Sequence, residues 1–271
     1  MIVLLTGHRG RLGAVIGEHL RSLGHEVRGF DLEEGGDILD AAALKDAARG
    51  VAAIVHVAGL AGDRPANPEA IMATNVLGTW HVLLAAEAVG VQRVVYLSSG
   101  KALGMIERDP DYLPVDDERR GLPSLPYALS KWLAEEMCAA FSTRTGIQTL
   151  CLRPVQVFDA EGYAAAAGRT WSASDGGHWH LGVHIDVRDV ATACAAALTC
   201  TTSRHERLLL SAADIAAHEP ARELVRKYLP DVEWRGGPEY DQDPYRSLVD
   251  SGRARRVLRW TPRHTWPLRK A

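Results

Sequence analysis

The sequence predicts an α/β fold, a doubly wound parallel sheet followed by a small C-terminal lobe, on three observations. Short apolar runs alternate with longer helical stretches over the first 155 residues. The runs are apolar on both faces, and a glycine cluster, TGHRGRLG at residues 6–13, lies where the first run passes into the first helix. Strands buried on both faces read as continuous apolar runs, and parallel strands need long crossover connections. Right-handed crossovers then place helices on both sides of the sheet.

In chain order, strands are expected at 2–5, 26–30, 53–57, 93–97 and 148–152, with helices at 11–23, 41–48, 68–89 and 127–144 between them. After Arg153-Pro154 the pattern weakens into an Ala-, Gly-, Trp- and His-rich stretch. A strand-like 182–185, a helix at 188–198 and a strand at 207–210 follow. Beyond residue 217 the chain is polar and broken by Pro220, Pro230, Pro238 and Pro244. Residues 1–155, completed by about 184–212, are expected to form the nucleotide-binding domain. Segments 156–183 and 213–271 are expected to form a lobe against the carboxyl edge of the sheet, where such folds bind ligands.

Bulk properties remove several function classes. A net charge of −3 over 271 residues offers no field for a polyanion, so nucleic acid is not an expected partner. No apolar run approaches the roughly 18 residues that span a bilayer, and no membrane role is expected. The four cysteines, Cys138, Cys151, Cys194 and Cys200, lack CxxC spacing and read as reduced thiols. With no visible leader peptide, a cytoplasmic location is expected.

The glycine loop follows a strand, opens a helix, and lies in a βαβ unit whose second strand ends at Phe30-Asp31. In that context Gly7 permits a tight turn, Gly10 lets a pyrophosphate approach the backbone, and Gly13 lets helix pack closely on sheet. The helix N-terminus, with His8, Arg9, Arg11 and Leu12 around it, supplies N–H groups and partial positive charge to phosphates. Asp31 is placed to accept hydrogen bonds from an adenosine ribose. A carboxylate there suits NAD and repels the 2′-phosphate of NADP, so NAD is the expected cofactor.

The segment PYALSKWLAEEM places Tyr127 and Lys131 four residues apart, on one helix face, after YLSSGKALG with Ser98 and Ser99 at a strand end. A cation near the phenol favours its ionised form, so Tyr127 is a candidate general base with Lys131 as the cation. Together with TGxxGxLG, this set resembles the extended branch of the short-chain dehydrogenase/reductase superfamily, the NAD-dependent epimerase/dehydratase family. Ser98 and Ser99 are both candidates to orient the substrate oxygen, and the family's S-x-x-x-x-G pattern, counted back from Gly104, implies Ser99. The resemblance implies a Rossmann-type fold and further cofactor contacts. These fall at Asp37 and Ile38 in GDILD, at Val57, Ala58 and Gly59 in VHVAG, at Asn75 in TNVLGT, at Leu97 and Ser98, and at Pro154 and Val155 in LRPVQVF. A homodimer built on the helices at 68–89 and 127–144 is implied as well. Asn75 has a structural alternative, capping of backbone groups, and His56 reads as a packed strand residue.

The chain is short for a sugar-nucleotide enzyme of this branch and shows no base-binding segment. In length it resembles the uronate dehydrogenases. The expected activity is therefore NAD-dependent hydride abstraction from a secondary alcohol of a small sugar-like substrate. The alternatives are a sugar-nucleotide 4-epimerase or dehydratase that retains NAD, and a non-catalytic NAD(P)-sensing regulator. The stretch GGHWHLGVH, with His178, His180 and His184, matches no zinc spacing, and no metal is expected. A substrate lid carrying these histidines with Trp171 and Trp179 is the preferred reading, and Arg153 or Arg246 is a candidate partner for a substrate anion.

Overall fold

The computed structural model describes residues 1–62, 67–104, 108–121, 123–167, 181–202 and 204–267. Its centre is a six-stranded parallel sheet of β1 (Ile2–Thr6), β2 (Glu26–Phe30), β3 (Ala53–His56), β4 (Arg93–Leu97), β6 (Gln148–Pro154) and β9 (His205–Leu210). The strand order is β2-β1-β3-β4-β6-β9. The order reverses beside β1, so a crevice opens above the carboxyl ends of β1 and β3, where the glycine loop lies.

The apolar runs divide by residue parity, because successive strand side chains point to opposite faces. Leu4, Ile54, Val94, Tyr96 and Cys151 face one layer, made by α2 (Ala41–Ala47), α4 (Gly78–Val89) and α5 (Pro126–Thr145). Val3, Leu5, Val55, Val95 and Leu152 face the other, made by α1 (Arg11–Ser22) and α7 (Val187–Thr199). Most of these side chains are fully buried, at roughly 1.5–3 kcal/mol each relative to exposure.

Three expected elements differ. The helix expected over 68–89 is α3 (Pro68–Met72) and α4 joined by one π-helical turn, Ala73–Leu77. The extra residue in that turn aims Asn75 at the preceding loop, a typical use of a π-turn at a functional site. β6 runs two residues further than expected, because Arg153 and Pro154 still pair with Leu209 and Leu210 of β9. Of the expected strand at 182–185 only Ile185 is retained, in the two-residue β8 (Ile185–Asp186) beside β7 (Val157–Phe158). Val183 makes a lone bridge to Ile215.

The C-terminal segment returns to the sheet rather than standing apart from it. The short β5 (Tyr112–Leu113) pairs in parallel with β10 (Glu233–Trp234), and Val115 bridges to Val249. Within α10 (Gly252–Leu258), Ala254 and Leu258 join Trp260 in the core layer of α7. The cysteines carry no disulfide; Cys138, Cys151 and Cys194 are buried and Cys200 is half-buried. No helix among the described residues is long and apolar enough to cross a membrane.

Candidate active site

The glycine loop is constrained at both ends and open in the middle. Gly7 has φ +73°, and a Cβ there would lie 2.6 Å from the Ala58 nitrogen. A Cβ on Gly13 would lie 1.9 Å from the Gly7 carbonyl oxygen. Gly10, the N-cap of α1, has only that oxygen nearby, at 3.4 Å. No side chain caps α1 and no acidic residue lies in its first turn. Backbone N–H groups at Arg11 and Leu12 therefore meet the crevice without a side-chain acceptor, a donor set that fits a dinucleotide pyrophosphate.

Asp31, at the end of β2, accepts the Arg9 N–H at 2.9 Å and the Glu33 N–H at 3.1 Å. The Arg9 side chain sits 3.7 Å from Glu33 and 3.6 Å from Glu34, while His8 lies 3.3 Å from Glu34. Glu33 and Glu34 thus stand beside Asp31, paired with Arg9 and His8. On the opposite wall, Asp37 caps the Leu39 N–H at 2.9 Å, and the buried Ile38 packs against Gly78, where a Cβ would come within 2.6 Å of it.

At the ends of β3 and β4 the remaining residues converge. Val57, Ala58 and Gly59 continue from β3. The buried Asn75 accepts the Leu60 N–H at 2.8 Å, and its amide donates to the Leu60 carbonyl and to Ser130 Oγ, each at 3.0 Å. Ser130 in turn donates to the Tyr127 carbonyl at 2.7 Å. The Asn75 side chain thus ties the loop after β3 to the first turn of α5, as its structural alternative anticipates. A Cβ on Gly59 would stand 3.8 Å from Lys131 Nζ.

Lys131 is buried and donates from Nζ to the Leu97 carbonyl at 2.9 Å. Its ammonium lies 5.9 Å from the Tyr127 ring centroid and 4.7 Å from that of Tyr96. Burial brings its pKa down to about 8, against the opposing pull of Glu135. Lys101 Nζ lies 5.7 Å from the same Tyr127 centroid, so two ammonium groups stand near the centre of that ring. Ser99 begins a 3₁₀ turn, Gly100–Leu103, and accepts the Lys101 N–H at 3.2 Å. The hydroxyl of Ser98 turns away, donating to the buried carboxylate of Glu135. Pro154 and Val155 end β6 beside Gly100.

Sequence reasoning did not single out Glu135. It follows Lys131 by one turn and is fully buried, where Arg153 holds it with two hydrogen bonds, from Nε at 2.9 Å and from Nη2. A lone acid on an apolar helix face one turn after Lys131 was the available signal. Arg153 is thereby committed to an internal pair rather than held open for a substrate anion. His56 is also internal, hydrogen-bonded to Thr6 and Thr79, with a pKa lowered to about 3 by burial and then by Lys131. His184 is buried and stacked on Phe158, and no group of potential metal ligands forms among the described residues. His178, His180, Trp171 and Trp179 lie outside the described residues.

Asp117 is the second acid that the sequence did not flag. Its side chain is 3% exposed, accepts the Leu209 N–H at 2.8 Å and lies 3.9 Å from Arg153. Burial pushes its pKa up to about 7. The folded protein therefore keeps a proton that the unfolded chain releases, and stability attributable to Asp117 falls as pH rises from the ordinary carboxylate range through 7. Asp117→Asn is expected to gain about 1–2 kcal/mol on wild type between pH 4 and pH 8, read from urea unfolding at both values. An advantage that does not grow with pH would contradict this assignment.

Comparison with known proteins places the site in a family. The model of the NAD dependent epimerase/dehydratase family matches residues 3–173. The uronate dehydrogenase of Pseudomonas syringae pv. tomato is 33% identical over 163 residues, 56% of this chain and 58% of that protein. The UDP-glucose 4-epimerase of Rhizobium meliloti is 30% identical over 195 residues, 66% of this chain and 55% of that protein. The chain thus spans little more than half the length of these relatives. An NAD-bound crystal structure of a short-chain dehydrogenase/reductase superfamily protein from Agrobacterium tumefaciens superposes with TM-score 0.74 at 26% identity. That likeness covers 98% of this chain and 94% of the other. With the family pattern running from the glycine loop through Lys131 and beyond β6, the chain belongs to the NAD-dependent epimerase/dehydratase family.

Proposed function

We propose that the chain is an NAD-dependent oxidoreductase acting on a secondary alcohol of a small sugar acid, with Tyr127 as general base. The observation that carries this reading is the buried Lys131, whose ammonium donates to the Leu97 carbonyl at the end of β4 and lies 5.9 Å from the Tyr127 ring centroid, with Ser99 two residues past that strand end and an α1 N-terminus without a side-chain cap. The glycine loop and α1 would hold the pyrophosphate, and Asp31 the adenosine ribose. When bound, NAD supplies the hydride acceptor.

The chain's own residues then manage the proton. Tyr127 takes it from the substrate hydroxyl as the carbinol C–H pair leaves as hydride and the C=O bond forms. Lys131 stabilises the phenolate, and because its carbonyl partner, Leu97, is part of β4, the ammonium is held in place. Ser99 orients the reacting oxygen.

The similarity to uronate dehydrogenases favours net oxidation with released NADH. The protein should therefore be purified without added cofactor and denatured, and any released nucleotide identified by mass spectrometry. Reversible NAD binding, with NADH absorbance growing on glucuronate or galacturonate, is the expected result. Stoichiometric NAD retained through purification, with interconversion of UDP-glucose and UDP-galactose, would instead establish the epimerase cycle. Because Asp31, Glu33 and Glu34 crowd the ribose end, NADP is expected to bind at least about tenfold more weakly than NAD, a difference of ~1.4 kcal/mol. Equal affinities in a direct titration would overturn that role for Asp31.

A homodimer and a cytoplasmic location belong to the same proposal. Leu77, Trp80 and Leu84 form one stripe on the π-turn and α4, with Leu77 47% and Leu84 38% exposed. Beside it, Arg144 of α5 pairs with Glu87 of α4 at 2.7 Å. Light scattering at micromolar concentration is expected to give twice the chain mass, and Leu84→Glu to reduce it to the monomer value. A monomeric wild type would refute the dimer.

A further inference from the structure

Apart from the crevice above the sheet, a cavity of about 750 Å³ opens on the outer side of α5, by the edge strand β9. Neither Tyr127, Lys131 nor a residue of the glycine loop lines it. Four of its arginines come from three separate places in the fold. Arg119 and Arg120 lie in the loop before α5, Arg207 in β9, and Arg253 in α10. Trp132 of α5 adds an aromatic surface.

The acids that hold these arginines are unequal. Arg207 pairs through Nη2 with Glu136 at 2.8 Å, and Arg253 pairs through Nη1 with Glu118 at 3.2 Å. Glu136 is 45% exposed and Glu118 79% exposed, so either carboxylate can turn into water at little cost. Behind them lie two buried acids. Glu206 holds Arg253 at 2.8 Å, and Glu135 lies 3.6 Å from Arg207 Nε, too far for a hydrogen bond. Arg253 is therefore anchored at one edge and loosely covered at the other, while Arg207 is held only by Glu136 among the described residues.

Among the buried polar atoms at the cavity wall, Nε of Arg207, Nε of Arg119 and Oδ2 of Asp117 make no hydrogen bond among the described residues, although the two Nε atoms each face a carboxylate at 3.6 Å, Glu135 for Arg207 and Asp111 for Arg119. Two are cationic donors, and Asp117, whose pKa is raised to about 7, can present a carboxylic acid O–H in that range. A planar guanidinium binds a phosphate or carboxylate through paired N–H groups.

We propose that this cavity is a second ligand site, which binds a small phosphate-bearing metabolite. Its anionic oxygens displace Glu136 and Glu118 from Arg207 and Arg253, and its body lies against Trp132. The volume suits a ligand of sugar-phosphate size. Arg153, which also lines the cavity, is bonded to Glu135, and Glu135 accepts from Ser98, so the site stands two side chains from the end of β4.

The test is calorimetric titration of the full chain, without dinucleotide, using glucose 6-phosphate as probe and glucose as its uncharged control. Saturable 1:1 binding of the phosphate ester alone is expected. An Arg207→Gln/Arg253→Gln variant should weaken it at least about tenfold, and Glu136→Gln, which removes a competing internal acid, should tighten it several-fold. Thermal unfolding reports whether each variant folds, and Glu136→Gln carries the test if the double variant does not. No saturable heat up to about 10 mM, binding that survives the double variant folded, or an affinity unchanged in Glu136→Gln would overturn the proposal. Because no dinucleotide is present, a negative result here leaves the crevice chemistry untouched.

Discussion

Tyr127→Phe is expected to cut turnover by about 10²–10⁴-fold while leaving NAD affinity within about twofold of wild type. The substitution removes one oxygen and keeps the ring near Lys101 and Lys131, whose ammonium groups lie 5.7 and 5.9 Å from its centroid. The first turn of α5 is held by Asn75 through Ser130 and the Tyr127 carbonyl, contacts that the phenol does not make. The loss should therefore fall on kcat, with the unfolding midpoint unchanged. Turnover within tenfold of wild type would remove Tyr127 as the base. A parallel collapse of NAD affinity would mean that the phenol serves binding rather than proton transfer.

Glu135→Ala is expected to destabilise the fold by about 3–5 kcal/mol, the usual result when one member of a buried ion pair is removed. Glu135 is fully buried, and Arg153 beside it is 4% exposed. Truncation leaves that guanidinium in the protein interior with Asp117, 3.9 Å away, as its remaining acid. It also strips the acceptor from Ser98 and enlarges the space behind α5. Glu135→Gln, which keeps the shape and one acceptor, should lose less. Urea unfolding at pH 7 measures both, and a loss below about 1 kcal/mol in the alanine variant would show that water or Asp117 takes over the role of Glu135. Since α5 carries Tyr127 and Lys131, a surviving alanine variant should also show a shifted pH profile of turnover.

Much of the fold was legible because its signals are local. Ile2 to Leu5 form a run without alternation, and the strand is buried on both faces. Gly7 announces a tight turn and Gly13 a helix packed closely on the sheet; Gly7 has φ +73°, and a Cβ on Gly13 would lie 1.9 Å from the Gly7 carbonyl oxygen. The interruption of the long helix was not legible: Thr74, Asn75 and Val76 are weak helix formers but mark no particular turn, and the Leu60 groups that Asn75 bonds come from a loop outside the helix. The C-terminal segment was hardest to read. Its strands are two residues long, and its pairing of Glu233 and Trp234 with Tyr112 and Leu113 joins positions more than a hundred residues apart.

By itself the sequence determined the parallel doubly wound sheet, the glycine loop and its acidic partner Asp31, and the Tyr127/Lys131 spacing on one helix. Each is written in short-range periodicity or in residue types that a local geometry demands. The tertiary structure alone decided that Ser98 turns to Glu135 while Ser99 opens the 3₁₀ turn, and that Arg153 belongs to an internal pair. It alone brought arginines from the loop before α5, β9 and α10 around one cavity. The physical reason is the same in each case. A charged side chain takes its role from the partners that burial sets beside it, and those partners come from elsewhere in the chain.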